Sequence, residues 1–275
     1  MDYVVGVSWP RSGHHLVARL LQLYFAEEFI YCNYYGGIEG CCKTLPCARA
    51  GEVTFTKSHD FDLGLQQVEG QKYLVQYRDF VPSVVSNFEL FVREGGRDTP
   101  EGFCSFASSE FGRYRRFVRK WVLSDFGQRQ LSLNYADLLN DPAGELARMV
   151  SYFDPDHAVD AARIRTVIAE VDGEKVENRK VERLHKVGVH PSRDVTEFRH
   201  YSPTLFEQLG RMTLTREEVR GVFVSLLGRA PVEENMIGFQ ALPSIEALEE
   251  CVLASARYAE ETQPDLSPER GKKTS

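Results

Sequence analysis

The stretch Tyr3-Val4-Val5-Gly6-Val7-Ser8-Trp9-Pro10-Arg11-Ser12-Gly13-His14-His15-Leu16 decides the fold of this chain. Residues 3–8 form an apolar run with the length of a buried strand. Leu16, Leu20 and Leu23 then recur at helical spacing, which predicts a helix over 12–25 with Ser12 as its N-cap. A strand, a tight turn and a helix start together make an arrangement that binds phosphate. Free backbone N–H groups at the helix N-terminus point at the anion, and the helix dipole adds to them. Gly13 allows a close backbone approach, and Arg11 carries a permanent charge on a forked donor. The turn is not a Walker A loop. Ser8 stands five residues before Gly13 and His14 follows it, where that motif requires Gly and Lys. Alone, the turn suits an ordinary strand-to-helix connection with an exposed arginine equally well.

Outward from this turn, strand and helix patterns alternate. Val53–Thr56, Lys72–Tyr77 and Leu131–Tyr135 read as strands. Residues 81–93 carry Val81, Val84, Val85, Phe88 and Val92 at helical spacing. Asp141-Pro142 starts a helix over 142–153, and another is expected over 158–170. Strands separated by helices imply a parallel sheet with ligands at the carboxyl ends of the strands. Residues 28–50 are rich in Gly, Cys and Tyr and read as irregular. The stretch 99–121 interleaves Phe103, Phe106, Phe111, Tyr114, Phe117 and Trp121 with Arg113, Arg115, Arg116, Arg119 and Lys120. It suits either an amphipathic helix with a solvated basic face or the wall of an anion pocket. Residues 172–200 are highly charged and read as a loop or mobile lid. Thr215 and Glu218 form a capping box for a helix ending at Gly228, and a last helix fits 243–260. The expected class is therefore α/β: a parallel β-sheet flanked by helices, with a helical C-terminal part. One domain is expected over 1–262, followed by a disordered polar tail at 263–275.

The 275 residues include 43% hydrophobic side chains, enough for a sizeable core. A net charge of −7 argues against a general nucleic-acid or membrane-surface binder, so an anionic ligand needs a local cluster of donors. The first strand pattern begins near residue 3, and no run of 18 apolar residues occurs. The expectation is a cytoplasmic protein without signal peptide or membrane span. Four of the six cysteines, Cys32, Cys41, Cys42 and Cys47, crowd together without the spacing of paired CxxC zinc ligands. Reduced thiols are expected there.

Three further segments lie at predicted strand ends. Lys57-Ser58-His59 places a cation and an imidazole two residues apart, facing the same way on extended backbone. One can neutralise charge while the other takes a proton, although such a His is also common as a satisfied surface residue. Tyr77-Arg78-Asp79-Phe80 is followed by Ser86, eight residues beyond Arg78, and the Arg and Ser can hold one phosphate jointly. Leu133-Asn134-Tyr135-Ala136-Asp137-Leu138-Leu139 puts a Tyr at a strand end, where it contacts a nucleoside or simply caps a helix.

In this order the segments resemble the sulfotransferases that use PAPS, 3′-phosphoadenosine 5′-phosphosulfate. Pro10-Arg11-Ser12-Gly13-His14-His15 is similar to that family's 5′-phosphosulfate loop, with His14-His15 in place of the usual Thr-Thr. Lys57-Ser58-His59 is similar to its catalytic segment, Arg78 with Ser86 to its 3′-phosphate site, and the Tyr135 segment to its Tyr-Glu-Asp-Leu stretch. The resemblance covers about residues 3–153 and implies a P-loop-kinase-like three-layer fold. It implies that Arg11 and the backbone of Ser12, Gly13, His14 and His15 hold the phosphosulfate. Arg78 and Ser86 would hold the 3′-phosphate, His59 would act as base, and Lys57 would steady the moving charge. The family's late loop over the 3′-phosphate has only loose counterparts here, Lys186 and Gly188 in His185-Lys186-Val187-Gly188, with Arg193-Asp194 as an alternative. The implied products are a sulfate ester and PAP, with no metal required. The acceptor would be a small molecule, sugar or lipid, and Tyr34, Tyr35, Phe61, Phe103 and Phe106 are candidate walls of its pocket. A kinase using ATP–Mg²⁺ is disfavoured by the missing Gly-Lys-Ser/Thr and by the lack of an evident strand-end Asp. A non-catalytic PAP-binding protein is disfavoured because Lys57 and His59 are both present.

Overall fold

The computed structural model describes residues 1–32, 41–156, 158–173, 175–177, 184–186 and 194–262. The chain divides into two compact units, one of Met1–Thr99 with Arg113–Tyr201 and one of Pro100–Gly112 with Ser202–Ser275.

The first unit is built on five parallel strands: β1 (Val4–Ser8), β2 (Tyr31–Cys32), β3 (Phe55–Ser58), β4 (Lys72–Tyr77) and β5 (Leu131–Asn134). Their spatial order is β2-β3-β1-β4-β5, which puts β1 at the centre between β3 and β4. All five residues of β1 are buried, as expected for a strand covered on both faces. Alternation sorts its side chains between two cores. Val4 packs with Phe55, Leu74, Leu131 and Leu133 beneath helices α1 (His14–Phe25), α6 (Pro142–Phe153) and α7 (Ala161–Gly173). Val5 and Val7 face the other way, onto Tyr73, Val75, Phe117, Trp121 and Phe126. The parallel sheet is thus flanked by helices on both faces, as the sequence pattern implies.

The elements α2 (Phe80–Arg93), α3 (Pro100–Val118), α4 (Asp125–Gln128) and α5 (Tyr135–Asn140) complete the middle of the chain. A π-helical turn, Arg119–Leu123, continues α3. The aromatic stripe of 99–121 is mostly core, since Phe103, Phe117 and Trp121 are fully buried. In the stretch 172–200, read as a loop or mobile lid from its charge, β6 (Lys175–Glu177) and β7 (Leu184–Lys186) pair antiparallel.

The second unit is helical, with α8 (Pro203–Arg211), α9 (Arg216–Leu227), α10 (Met236–Gln240) and α11 (Ile245–Thr262). Leu214, Val219, Phe223, Met236, Leu248 and Val252 form its core. The expected capping box is present: Thr215 Oγ1 accepts from the Glu218 N–H while the Glu218 carboxylate accepts from the Thr215 N–H. Gly228 ends α9 in the left-handed conformation. Among the described residues no helix is long and apolar enough to cross a membrane. Residues 263–275, the expected tail, lie outside the described residues.

Candidate functional site

The carboxyl ends of β1, β3, β4 and β5 deliver four loops to one place. They enclose a cavity of about 770 Å³ lined by Arg11, Gly13, His14 and His15 after β1, Lys57 in β3 and His59 just after it, Arg78 after β4, and Tyr135 after β5. Ser86 and Glu89 of α2 close one side, and Phe61 stands at another. All four sequence segments therefore converge, as expected for a parallel sheet whose loops cluster at strand ends.

The turn after β1 is built for close approach. Arg11 has φ 65° and Gly13 has φ 79°, so two residues of the turn are left-handed. For Arg11 this conformation is unfavourable, and such residues concentrate at ligand sites. Gly13, rather than Ser12, is the residue before the helix, and no side chain caps it. Ser12 Oγ is buried and has no hydrogen-bond partner among the described residues. The expected Ser12 cap is thus corrected: the helix begins at His14, so Ser12 stands one position before the cap residue Gly13. A buried orphan hydroxyl at a helix N-terminus is a donor that suits an anion. Arg11 Nε donates to Ser86 Oγ at 2.9 Å, joining the turn to α2.

Lys57 is 7% exposed at the end of β3, paired in register with Gly6. No carboxylate partners it among the described residues, and burial alone holds its ammonium below the ordinary lysine range. An uncompensated buried cation is costly unless a ligand supplies the opposite charge.

His59 is fixed by β1. Its Nδ1–H donates to the Ser8 carbonyl at 2.7 Å, with Ser8 Oγ at 3.1 Å. That bond selects the tautomer whose Nε2 carries the lone pair. Burial, then Lys57 and His15, push the imidazole down to about 4, so it is neutral at pH 7. The loop behind it is held by Asp60, whose carboxylate accepts from Lys120 Nζ at 2.8 Å and Trp121 Nε1 at 2.7 Å. Phe61 packs on His59 with ring centroids 5.1 Å apart and is 46% exposed.

The His14 side chain is turned into the protein. It is 5% exposed, hydrogen-bonded to Gln76 Oε1 at 3.0 Å and to the Tyr31 hydroxyl at 2.8 Å. Both ring nitrogens are committed inside the protein, and burial holds it neutral, well below the usual histidine value. Its backbone still lines the turn. His15 projects outward, with partial burial, Lys57 and Arg11 lowering its protonation.

Arg78 is 9% exposed and lies 4.8 Å over the Tyr135 ring. That ring packs against Gly13. Three cations, Arg11, Lys57 and Arg78, thus face one lining carboxylate, Glu89, among the described residues. The cavity is locally positive in a chain of net charge −7.

The remaining candidates are placed elsewhere or not described. Phe103 is fully buried and stacks on Phe206 in the core of the second unit, and Phe106 lies one turn along the same helix. Tyr34, Tyr35 and Gly188 lie outside the described residues, and Lys186 falls in β7. Sequence reasoning missed the residues that position the site: Ser8, Gln76, Asp60 and Lys120. Gln76 left a signal, a polar residue inside the apolar run of β4.

No protein-family model matches the sequence, and no curated protein matches it. Among solved structures, the mouse sulfotransferase SULT7A1 complexed with PAP is similar to this chain. It is 15% identical, over 88% of this chain and 90% of that one, with a TM-score of 0.48.

Proposed function

We propose that this protein is a PAPS-dependent O-sulfotransferase that gives a sulfate ester and PAP. The acceptor is a hydroxyl of a small molecule, sugar or lipid. The observation that carries the reading is the convergence on one cavity of the turn after β1, Lys57 with His59, Arg78 with Ser86, and Tyr135. The residues fit a bisphosphate nucleotide: a left-handed turn and, among the described residues, a buried Ser12 hydroxyl without a hydrogen-bond partner and a buried Lys57 without a carboxylate partner.

When bound, PAPS supplies an activated sulfuryl group. Arg11 and the backbone N–H groups from Ser12 to His15 hold its 5′ end, and Arg78 with Ser86 holds the 3′-phosphate. Tyr135 offers the Arg78-stacked ring to the nucleoside. His59 takes the acceptor hydroxyl proton at Nε2, because Nδ1 is occupied by Ser8. A positioned base contributes about 10²–10⁴-fold. Lys57 and Arg11 stabilise the charge that develops on the leaving phosphate oxygen, for which one preorganised donor is worth about 10²–10³-fold. Side chains supply all of these charges, so the reading requires no metal.

The test is PAP release from PAPS in chelator with a panel of hydroxylated acceptors, beside an ATP–Mg²⁺ control. Acceptor-dependent PAP release supports the reading. Phosphoryl transfer from ATP–Mg²⁺ instead would favour a kinase.

A further inference from the structure

The four crowded cysteines take no part in the site above. They stand in two pairs: Cys32 Sγ is 3.8 Å from Cys41 Sγ, and Cys42 Sγ is 3.5 Å from Cys47 Sγ. None is bonded to another. Among the described residues no group of three His, Cys, Asp or Glu side chains is placed to hold a metal ion, so the four do not form a ready-made metal centre.

The second pair is asymmetric. Cys42 is partly exposed, and Thr44 Oγ1 donates to its sulfur at 3.1 Å. Cys47 is 7% exposed, and its sulfur accepts from the Arg49 N–H at 3.4 Å. One sulfur is accessible and solvated by donors, while the other waits behind it within contact distance. We propose that Cys42 is a thiol-modification site for low-molecular-weight disulfides, and that Cys47 resolves the adduct into a Cys42–Cys47 disulfide.

The chemistry balances. The Cys42 thiolate attacks one sulfur of oxidised glutathione, forming a mixed disulfide and releasing one glutathione thiolate. Cys47 then loses its proton and attacks the Cys42 sulfur, releasing the second glutathione thiolate. Two protein thiols are oxidised, one glutathione disulfide is reduced, and both protons end on the released glutathione. The thiolate is the nucleophile, so selectivity follows its population and access. The Thr44 hydroxyl, then the Thr44 and Ala48 backbone, lower Cys42 to about 6. Burial raises Cys47, and burial with Cys41 raises Cys32 to about 11. Among the described residues Arg49 acts electrostatically on both thiols, and its guanidinium is ion-paired with Glu52. This inference is independent of the sulfuryl-transfer reading.

The test is peptide mass spectrometry of the reduced protein exposed to oxidised glutathione, with alkylation of each cysteine followed from pH 5 to 9. The expected result is a Cys42–Cys47 disulfide in the wild type, and a glutathione adduct retained on Cys42 in Cys47→Ser. The Cys42 alkylation rate should level off above a midpoint near 6, while the rate at Cys32 keeps climbing with pH. Adducts that favour Cys104 or Cys251, or equal midpoints at Cys42 and Cys32, would overturn the proposal. Stoichiometric zinc uptake that protects all four cysteines would overturn it as well.

Discussion

The ring of Tyr135 fills the space beside Gly13 where a Cβ would stand, with ring carbons 2.5 Å from that position. The glycine is therefore required twice, by its φ of 79° and by the ring. Arg78 lies on the same ring, so one aromatic side chain ties the turn after β1 to the end of β4.

Gly13→Ala should destabilise the protein by about 1–3 kcal/mol, through left-handed strain and overpacking. Gly13→Ala with Tyr135→Ala should lose less than the sum of the two single losses, because the ring clash disappears and only the strain remains. Denaturant melts of the four proteins measure this. Additive losses would mean that the ring and the turn are not coupled.

Lys57→Met should leave the free protein as stable as the wild type or more so, since it removes a buried charge that no carboxylate among the described residues compensates. The same change should weaken PAP by about 10–100-fold, the worth of a charge-assisted hydrogen bond. Thermal melts and calorimetry give the two readings. A large loss of stability would show that Lys57 serves the fold rather than a ligand.

These two residues mark what was legible in the sequence. Gly13 was readable, because strand, turn and helix periodicities bracket it. Lys57 was expected just past a strand ending at residue 56, yet β3 runs to Ser58. Its pairing with β1 carries a charged residue into the ladder, which local composition argues against. The strand over 72–77 and the helix over 142–153 match their expected bounds, with Pro142 opening the helix. The Ser8–His59 and Gln76–His14 bonds join residues 51 and 62 positions apart, and a single sequence holds no signal for such pairings. Phe103 and Phe106 were legible as aromatic, but aromatic spacing on a helix does not tell a core stripe from a pocket wall.

His59→Ala should lower turnover by about 10²–10⁴-fold while PAP affinity stays within a few-fold. Steady-state kinetics beside calorimetry separates the two effects. Equal losses in both would remove the base role and leave His59 as a binding residue.

Protonation should also destabilise the fold. His14, His15 and His59 all have folded values below the ordinary 6.5, His59 at about 4. Below pH 6.5 the unfolded chain therefore binds more protons, and stability falls as pH drops toward 4. Each of His14 and His59 contributes at most about 1.4 kcal/mol per pH unit, and the exposed His15 less, because solvent screens it. Urea melts at pH 7.5, 6 and 5 should show the decline, and bound PAP should reduce it by raising His59. Flat stability across that range would contradict the buried neutral imidazoles.

The central claim is a dedicated site for a nucleotide with a 3′-phosphate. Calorimetric titration of the wild type and Arg78→Ala with PAP, AMP and ATP–Mg²⁺ tests it most directly. The account predicts tight PAP binding, weak AMP binding, and a loss in Arg78→Ala that is much larger for PAP than for AMP. Binding of ATP–Mg²⁺ with none of PAP, or equal losses for PAP and AMP, would contradict it.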